Sequence, residues 1–405
     1  MANYQNKSIA QILTLLSSAQ YNMNAMLKNI LKRIENDLSN GRSKIIFGAL
    51  SNQRRKELLS YVMNLVSGEF PSVEFFEGDL INSFKRLDIK NGTDKWYCVL
   101  VDDLFAREDF AVLINKAFGK RNVVMIGTSS HDINAIDPSK ITTIAGRFDS
   151  YYLADHSFSD LSSGIDFVTY LSKGGRIFGD NNQLYTERVL ERIKMENAMR
   201  KPDTFSAFFD YSIKQAGKNT SEREMSLGFD SRLSPNTIGK FLDVFTTNFL
   251  LYKLKGFDFS KMRKIQRNFR LYPYDTSLYS YNRKESAMNI NLLTMTLLIG
   301  RAKEEGYDCY YGYFHRQKMM ADGKRKYCDD NVGLYVTDGK RQMVFSLNIG
   351  QEESVSNNMN IVSVSSMVEK YIVESGKSSG YYDNKGVCHI GVEYLLGDGF
   401  DWEGH

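Results

Sequence analysis

At 405 residues the chain is too long for one ordinary hydrophobic core, so two or three domains are expected. Its 42% hydrophobic and 25% charged residues, with only five prolines, exclude long disordered tracts. A net charge of +4 does not by itself argue for nucleic acid, and no stretch reaches the roughly 18 apolar residues of a membrane span, so a cytoplasmic protein with no membrane partner is expected.

In chain order, residues 8–39 carry Ile12, Leu15, Leu16, Met26, Leu27, Ile30, Leu31 and Ile34 at helical spacing, which predicts one or two amphipathic helices before Asn40-Gly41. Lys44–Gly48 reads as a short strand running into a glycine, and 53–67 as a helix. Val73–Phe76, Tyr97–Asp103 and Asn122–Ser129 are further strands, the last two strongly apolar. Apolar strands alternating with helices predict a parallel sheet covered on both faces. Ligands of such sheets bind at the carboxyl ends of the strands, which here hold Gly48, Asp102, Asp103 and Thr128–Ser130. Residues 160–215 read as helical. Leu233–Leu242 has a cap, a proline in the first turn and then a helix, with a strand expected over Asn248–Leu254. Helix, turn, helix, strand is the winged-helix order. Beyond 285 a helix (287–304) precedes strands at Tyr307–Phe314, Val332–Val336 and Met343–Asn348, the last two joined by the turn Thr337–Lys340. A late helix (364–375) and a strand at Val387–Val392 close the chain. The four cysteines, Cys98, Cys309, Cys328 and Cys388, and the five histidines show no metal-ligand spacing, so reduced thiols and no metal site are expected.

Several short motifs fall in a telling order. Ala145-Gly146-Arg147 precedes Ser157-Phe158-Ser159-Asp160-Leu161, and Lys173-Gly174-Gly175, Ser234–Leu242, Tyr272-Pro273-Tyr274-Asp275 and Gly386–Leu396 follow. Together they resemble the prokaryotic AAA-type ATPases that join a P-loop ATPase domain, a winged helix and a C-terminal domain shaped like a restriction endonuclease. The resemblance runs along nearly the whole chain. It implies an α/β fold with a P-loop-type parallel-sheet domain over 1–200, a winged helix over 201–283 and a small endonuclease-like α/β domain over 284–405.

Measured against that family, both sites are degraded. A P-loop needs glycines so that backbone N–H groups can close on phosphate, a lysine to neutralise it and a hydroxyl to hold Mg²⁺. In Gly48-Ala49-Leu50-Ser51-Asn52-Gln53-Arg54-Arg55 only the first glycine remains; Gln53 replaces the second, Arg54 the lysine and Arg55 the hydroxyl. Arg54 leaves a positive charge at a helix start, where an anion can still sit, but arginine is not equivalent to lysine in a tight cradle. Asp102 and Asp103 stand where a metal-holding and a water-activating carboxylate belong, or serve as solvated turn residues. Thr128 is placed to sense a γ-phosphate, and Arg147 to reach a phosphate or form a salt bridge. No cofactor and no turnover are therefore expected, with ATP and Mg²⁺ as the alternative. The nuclease triad fares no better: Gly333 stands at the aspartate position, Val344–Asn348 lacks a Glu-x-Lys, and Met288-Asn289 occupies the helix position with Glu285 close by. Asp329 and Asp330 are expected in a loop.

The densest charge lies at 253–270, where Lys253, Lys255, Lys261, Arg263, Lys264, Arg267 and Arg270 face only Asp258, with Phe257, Phe259 and Phe269 interleaved. A wing would contact a phosphate backbone here, and Asn236, Thr237 and Lys240 on the preceding helix would reach bases or phosphates. The alternative is a solvated basic face. The expected protein is a non-hydrolysing scaffold or regulator that binds DNA, a protein partner or its own copies. A working ATPase with an atypical loop and a purely structural interaction module are the alternatives.

Overall fold

The computed structural model describes residues 43–48, 74–76, 97–106, 123–131, 148–153, 165–175, 182–197, 201–230, 232–280, 289–319, 325–349, 360–397 and 399–402, with single positions 59, 112, 114, 158 and 199. The helices expected over 8–39 and 53–67 lie outside the described residues. The chain forms two compact units, 1–155 and 156–405.

The first unit holds five strands: β1 (Ser43–Gly48), β2 (Glu74–Phe76), β3 (Tyr97–Val101), β4 (Val123–Ser129) and β5 (Phe148–Leu153). They form one sheet in the order β2-β3-β4-β1-β5, with every pairing parallel. Val99, Leu100, Val101, Met125 and Ile126 are all buried, as continuous apolar strands of a covered parallel sheet must be. The chain passes from β1 across β4 and β3 to β2, then from β4 back across β1 to β5. It thus leaves the neighbours β1 and β4 in opposite directions, and ligands of open α/β sheets bind at such a switch point, beyond the strands' carboxyl ends.

The second unit begins with helices α1 (Phe167–Lys173), α2 (Asn182–Glu196), α3 (Pro202–Lys214), α4 (Glu222–Phe229) and α5 (Pro235–Thr247). The expected start of α5 is found: Ser234 caps it by accepting from the Thr237 N–H, and Pro235 opens its first turn. Phe205, Phe208, Phe209, Phe241 and Phe245 interlock α3 with α5 through ring contacts of 4.8–5.9 Å. The chain then runs through β6 (Leu251–Asp258) and β7 (Arg263–Pro273) to α6 (Thr276–Ser280) and α7 (Ile290–Glu304). β8 (Asp308–Met319), β9 (Arg325–Thr337), β10 (Gln342–Asn348), β11 (Glu369–Glu374), β12 (Tyr381–Tyr382), β13 (Cys388–Gly391) and α8 (Val392–Leu396) complete it.

The compact units divide at 155/156. Two expectations are corrected here. No sheet boundary falls near 283, because β6 pairs in parallel with β8 through Gly256↔Tyr311 and Asp258↔Tyr313, so the β6–β7 hairpin belongs to one eight-stranded sheet, β12-β13-β11-β10-β9-β8-β6-β7. The late helix is instead β11, held between β10 and β13; its Tyr371, Ile372 and Val373 are buried, and such side chains suit a sheet interior.

Two of the family-like motifs meet in space. Asp275, itself buried, accepts from the Gly175 N–H at 2.9 Å and from the Ser277 N–H at 2.8 Å. Gly174 closes α1 with φ +76, and a Cβ there would strike the Asp275 carboxylate. Glycine is required by both the backbone angle and the space.

Candidate functional site

At the end of the parallel sheet, the structure brings Asp102, Asp103 and Thr128 together. The Thr128 hydroxyl donates to Asp102 Oδ1 at 2.8 Å and accepts from the Asp103 N–H at 3.1 Å. Its single proton is therefore committed to Asp102. Asp103 turns through φ +48, a left-handed angle that aspartate tolerates better than most residues. Its Oδ1 accepts from the Ser130 N–H at 2.9 Å, and the Ser130 hydroxyl lies 2.8 Å from both carboxylate oxygens and 2.9 Å from His131 Nδ1. Thr128, Ser129 and Ser130 are buried. These residues, at and just beyond the carboxyl ends of β3 and β4, form a hydrogen-bonded web. Gly48 ends β1 beside Leu153 of β5. Arg54, Arg55 and Arg147 lie outside the described residues.

In the second unit, Gly333, where the resemblance would put a carboxylate, is closed in by backbone. Gly333 has φ +143, and a Cβ there would press into the Phe345 carbonyl oxygen of β10. Opposite it in the ladder, a Cβ on Gly312 would come within 2.6 Å of the Phe259 ring. Phe257, Phe259, Tyr310, Phe314, Tyr335 and Val344 form a dry cluster there. Asp329 and Asp330 lie in β9, not in a loop, and Asn289 caps α7 by accepting from the Leu292 N–H at 2.9 Å. Glu285 and Met288 lie outside the described residues. Among the described residues no group of three or more His, Cys, Asp or Glu is arranged to hold a metal.

The basic segment is the β6–β7 hairpin, and its seven cations divide sharply. Lys253 pairs with Glu222 at 2.8 Å and lies over the Phe269 ring. Lys255 donates to Gln266, and Arg270 donates to Asn331 at 3.0 Å while lying over Tyr311. Lys264 sits 3.7 Å from Asp308 and over the Tyr310 ring; the hydrogen bond to Tyr310 holds its ammonium above the usual lysine range. Lys261, Arg263 and Arg267 are exposed, and no carboxylate among the described residues pairs with them. Arg267 is displayed by a bulge, where the ladder slips between Lys255↔Phe269 and Gly256↔Ile265. The interleaved Phe257, Phe259 and Phe269 are buried and form core.

Along α5 the exposed face holds Asn236, Lys240 and Asp243, one cation against one anion, and the Thr237 hydroxyl is 3.0 Å from that of Ser234 in the cap. The structure therefore places the surplus charge on the hairpin and not on the helix. Sequence reasoning missed a second basic hairpin beside it. The Phe259 N–H donates to the Tyr313 carbonyl and the Ser260 hydroxyl to the His315 carbonyl, which sets the β6–β7 turn against the β8–β9 hairpin with its Arg316, Lys318, Arg325 and Lys326. The signal was available as six basic residues within 315–326, His315 and Lys324 included.

A family model described as a domain of unknown function (DUF8612) matches residues 176–289. No curated protein matches the chain. Among solved structures, the chain is similar to a chain in Drosophila ORC bound to AT-rich DNA and Cdc6 (11% identity, 72% of this chain and 94% of that one, TM-score 0.23). It is also similar to Cdc6p from Pyrobaculum aerophilum (8%, 67% and 92%, TM-score 0.27) and to C. elegans PCH-2 (14%, 55% and 65%, TM-score 0.22). The mixed α/β construction with an all-parallel five-stranded sheet among the described residues rests on the strand pairings themselves. Among the described residues, no helix is long and apolar enough to cross a membrane.

Proposed function

We propose that this chain is a P-loop-type, non-hydrolysing scaffold that binds nucleic acid through the β6–β7 hairpin, read as the wing of a winged-helix module. One observation carries the reading: Lys261, Arg263 and Arg267 are exposed on one hairpin with no carboxylate partner among the described residues, while the other cations of the hairpin have partners in the fold. Cations left over after folding are available to phosphates, and neutralising phosphates releases counterions. Two features support the absence of turnover: Gln53, Arg54 and Arg55 replace the phosphate-seat residues, and Asp103 is engaged by Ser130.

The test is fluorescence anisotropy with labelled DNA at two salt concentrations, comparing the native chain with the triple variant Lys261→Glu, Arg263→Glu, Arg267→Glu. Binding that falls steeply with salt and drops by roughly a hundredfold in the variant, at unchanged melting temperature, is the expected result. Equal binding by both proteins, or none by the native one, rejects the hairpin as a nucleic-acid site. Calorimetric titration with ATP and Mg²⁺ tests the other half: a tight Mg²⁺-dependent complex with phosphate release overturns the non-hydrolysing reading.

A further inference from the structure

Resting on that reading, we propose that the outer half of the β8–β9 hairpin is a DNA-gripping arm that enters the major groove of B-form duplex. The arm is a ribbon detached from the sheet. β6 follows β8 only as far as Tyr313, and β10 follows β9 only from Leu334 onward. Between these limits, Phe314–Met319 and Arg325–Asp330 pair with each other and with no other strand among the described residues. Six residues at 3.4 Å each give an arm about 20 Å long. Burial along β9 changes with this geometry: Arg325, Lys326 and Tyr327 are exposed, while Val332–Val336 are buried.

In the backbone register Lys318 pairs with Lys326 and Met319 with Arg325, with Arg316 two residues along, so basic positions of the two strands fall together. Arg325 and Lys326 are exposed at the outer end of β9. No carboxylate among the described residues pairs with Arg325 or Lys326. Lysines can also guard a bare strand edge against unwanted pairing, so the experiment must separate edge protection from recognition.

The groove is favoured over a single strand for two reasons. The aromatic rings are partly engaged: one face of the exposed Tyr327 stacks on His315 at 5.0 Å and 3°, His315 Nδ1 lies 2.7 Å from Asp329, and the Arg316 guanidinium covers the buried Phe314 ring at 4.1 Å. These contacts stiffen the ribbon and leave a base one open ring face, that of Tyr327, where a single-strand groove needs several in succession. A two-stranded ribbon also fits the roughly 12 Å major groove of B-DNA, where cations on both strands meet both phosphate rows, whereas the A-form major groove is too narrow.

The full-length chain is titrated into a labelled 20-base-pair DNA duplex, the matching single strand and a 20-base-pair RNA duplex. Competition with methyl green, which occupies the major groove, is compared with netropsin, which occupies the minor groove. The arm variant is Arg325→Glu, Lys326→Glu; Arg325→Gln, Lys326→Gln repeats the test without adding charge should the first fail to fold. The expected result is duplex DNA preferred roughly tenfold or more, displacement by methyl green only, and at least tenfold weaker binding by the arm variant with a salt slope reduced by about 1.8 for two lost phosphate contacts. Preference for single strand or RNA duplex, or displacement by netropsin alone, overturns the groove assignment. Native-like binding by the arm variant, with loss only in the β6–β7 triple variant, reduces the arm's lysines to edge protection and leaves the hairpin reading standing. No binding to any of the three ligands rejects both.

Discussion

Two polar regions of this protein treat their charges in opposite ways. At the carboxyl end of the parallel sheet, Asp102 and Asp103 are locked to Thr128 and Ser130 by hydrogen bonds of 2.8–3.1 Å. On the β6–β7 hairpin and the neighbouring arm, Lys261, Arg263, Arg267, Arg325 and Lys326 stand exposed with no carboxylate partner among the described residues. A charge absorbed by its own fold reports on architecture; one that folding leaves over reports on a partner. The first region ties its carboxylates into the fold, and the second leaves its cations exposed, which is what the proposed nucleic-acid reading rests on.

That contrast can be broken by substitution, since groups tied into the fold should change stability and the leftover cations should change only binding. The largest effect is expected from Gly333→Asp. A side chain at this position forces a Cβ into the Phe345 carbonyl at φ +143, so the variant should lose more than about 4 kcal/mol, read as misfolding or a collapsed melting temperature. Asp275→Ala comes next. It strips acceptors from the Gly175 and Ser277 N–H groups in a buried place and should cost about 3 kcal/mol by chemical denaturation. Thr128→Val removes two hydrogen bonds while keeping the shape, for about 1–2 kcal/mol. A loss of nucleic-acid binding in Thr128→Val at unchanged stability would erase the distinction between the two regions.

The smallest effect tests a surface charge that does have a partner. Arg341 grips Glu369 with both guanidinium arms at 2.6 and 2.7 Å, and this hydrogen bonding holds the Glu369 carboxyl below its ordinary value of 4.5. A lowered folded-state value means that the stabilisation is complete above the unfolded value and disappears as pH falls through the folded one. Glu369→Gln should therefore cost at most about 1 kcal/mol at pH 7, because the pair is partly exposed, with the difference from the native chain shrinking in melts as pH falls through the lowered folded value.

How much of this was readable beforehand varied by element. β3 and β4 were plain, because strands buried on both faces carry unbroken apolar runs. β11 was mistaken for a helix because Val364, Val368, Tyr371 and Ile372 fall at spacings that also suit a helical face. The long ends of β8 and β9 were invisible for a different reason. Beyond Phe314 the ribbon pairs with no further strand among the described residues and Arg325–Tyr327 are exposed, so no hydrophobic period marks it. The joining of Gly174 to Asp275 could not be read from spacing either, since it exists only once residues a hundred positions apart are folded together. In the candidate site the cluster of cations was legible, but its division into partnered and leftover members was not. That division depends on acceptors such as Glu222, Asp308 and Asn331, which are brought in from other elements.

The parallel seam between β6 and β8 has one more consequence. The stretch matched by the family model, 176–289, contains β6 but not the strand that covers its flank. A polypeptide cut at 289 would carry naked amide and carbonyl groups along Gly256–Asp258, a template for sticking to its own kind. The portion that sequence comparison picks out and the portion able to stand alone need not coincide.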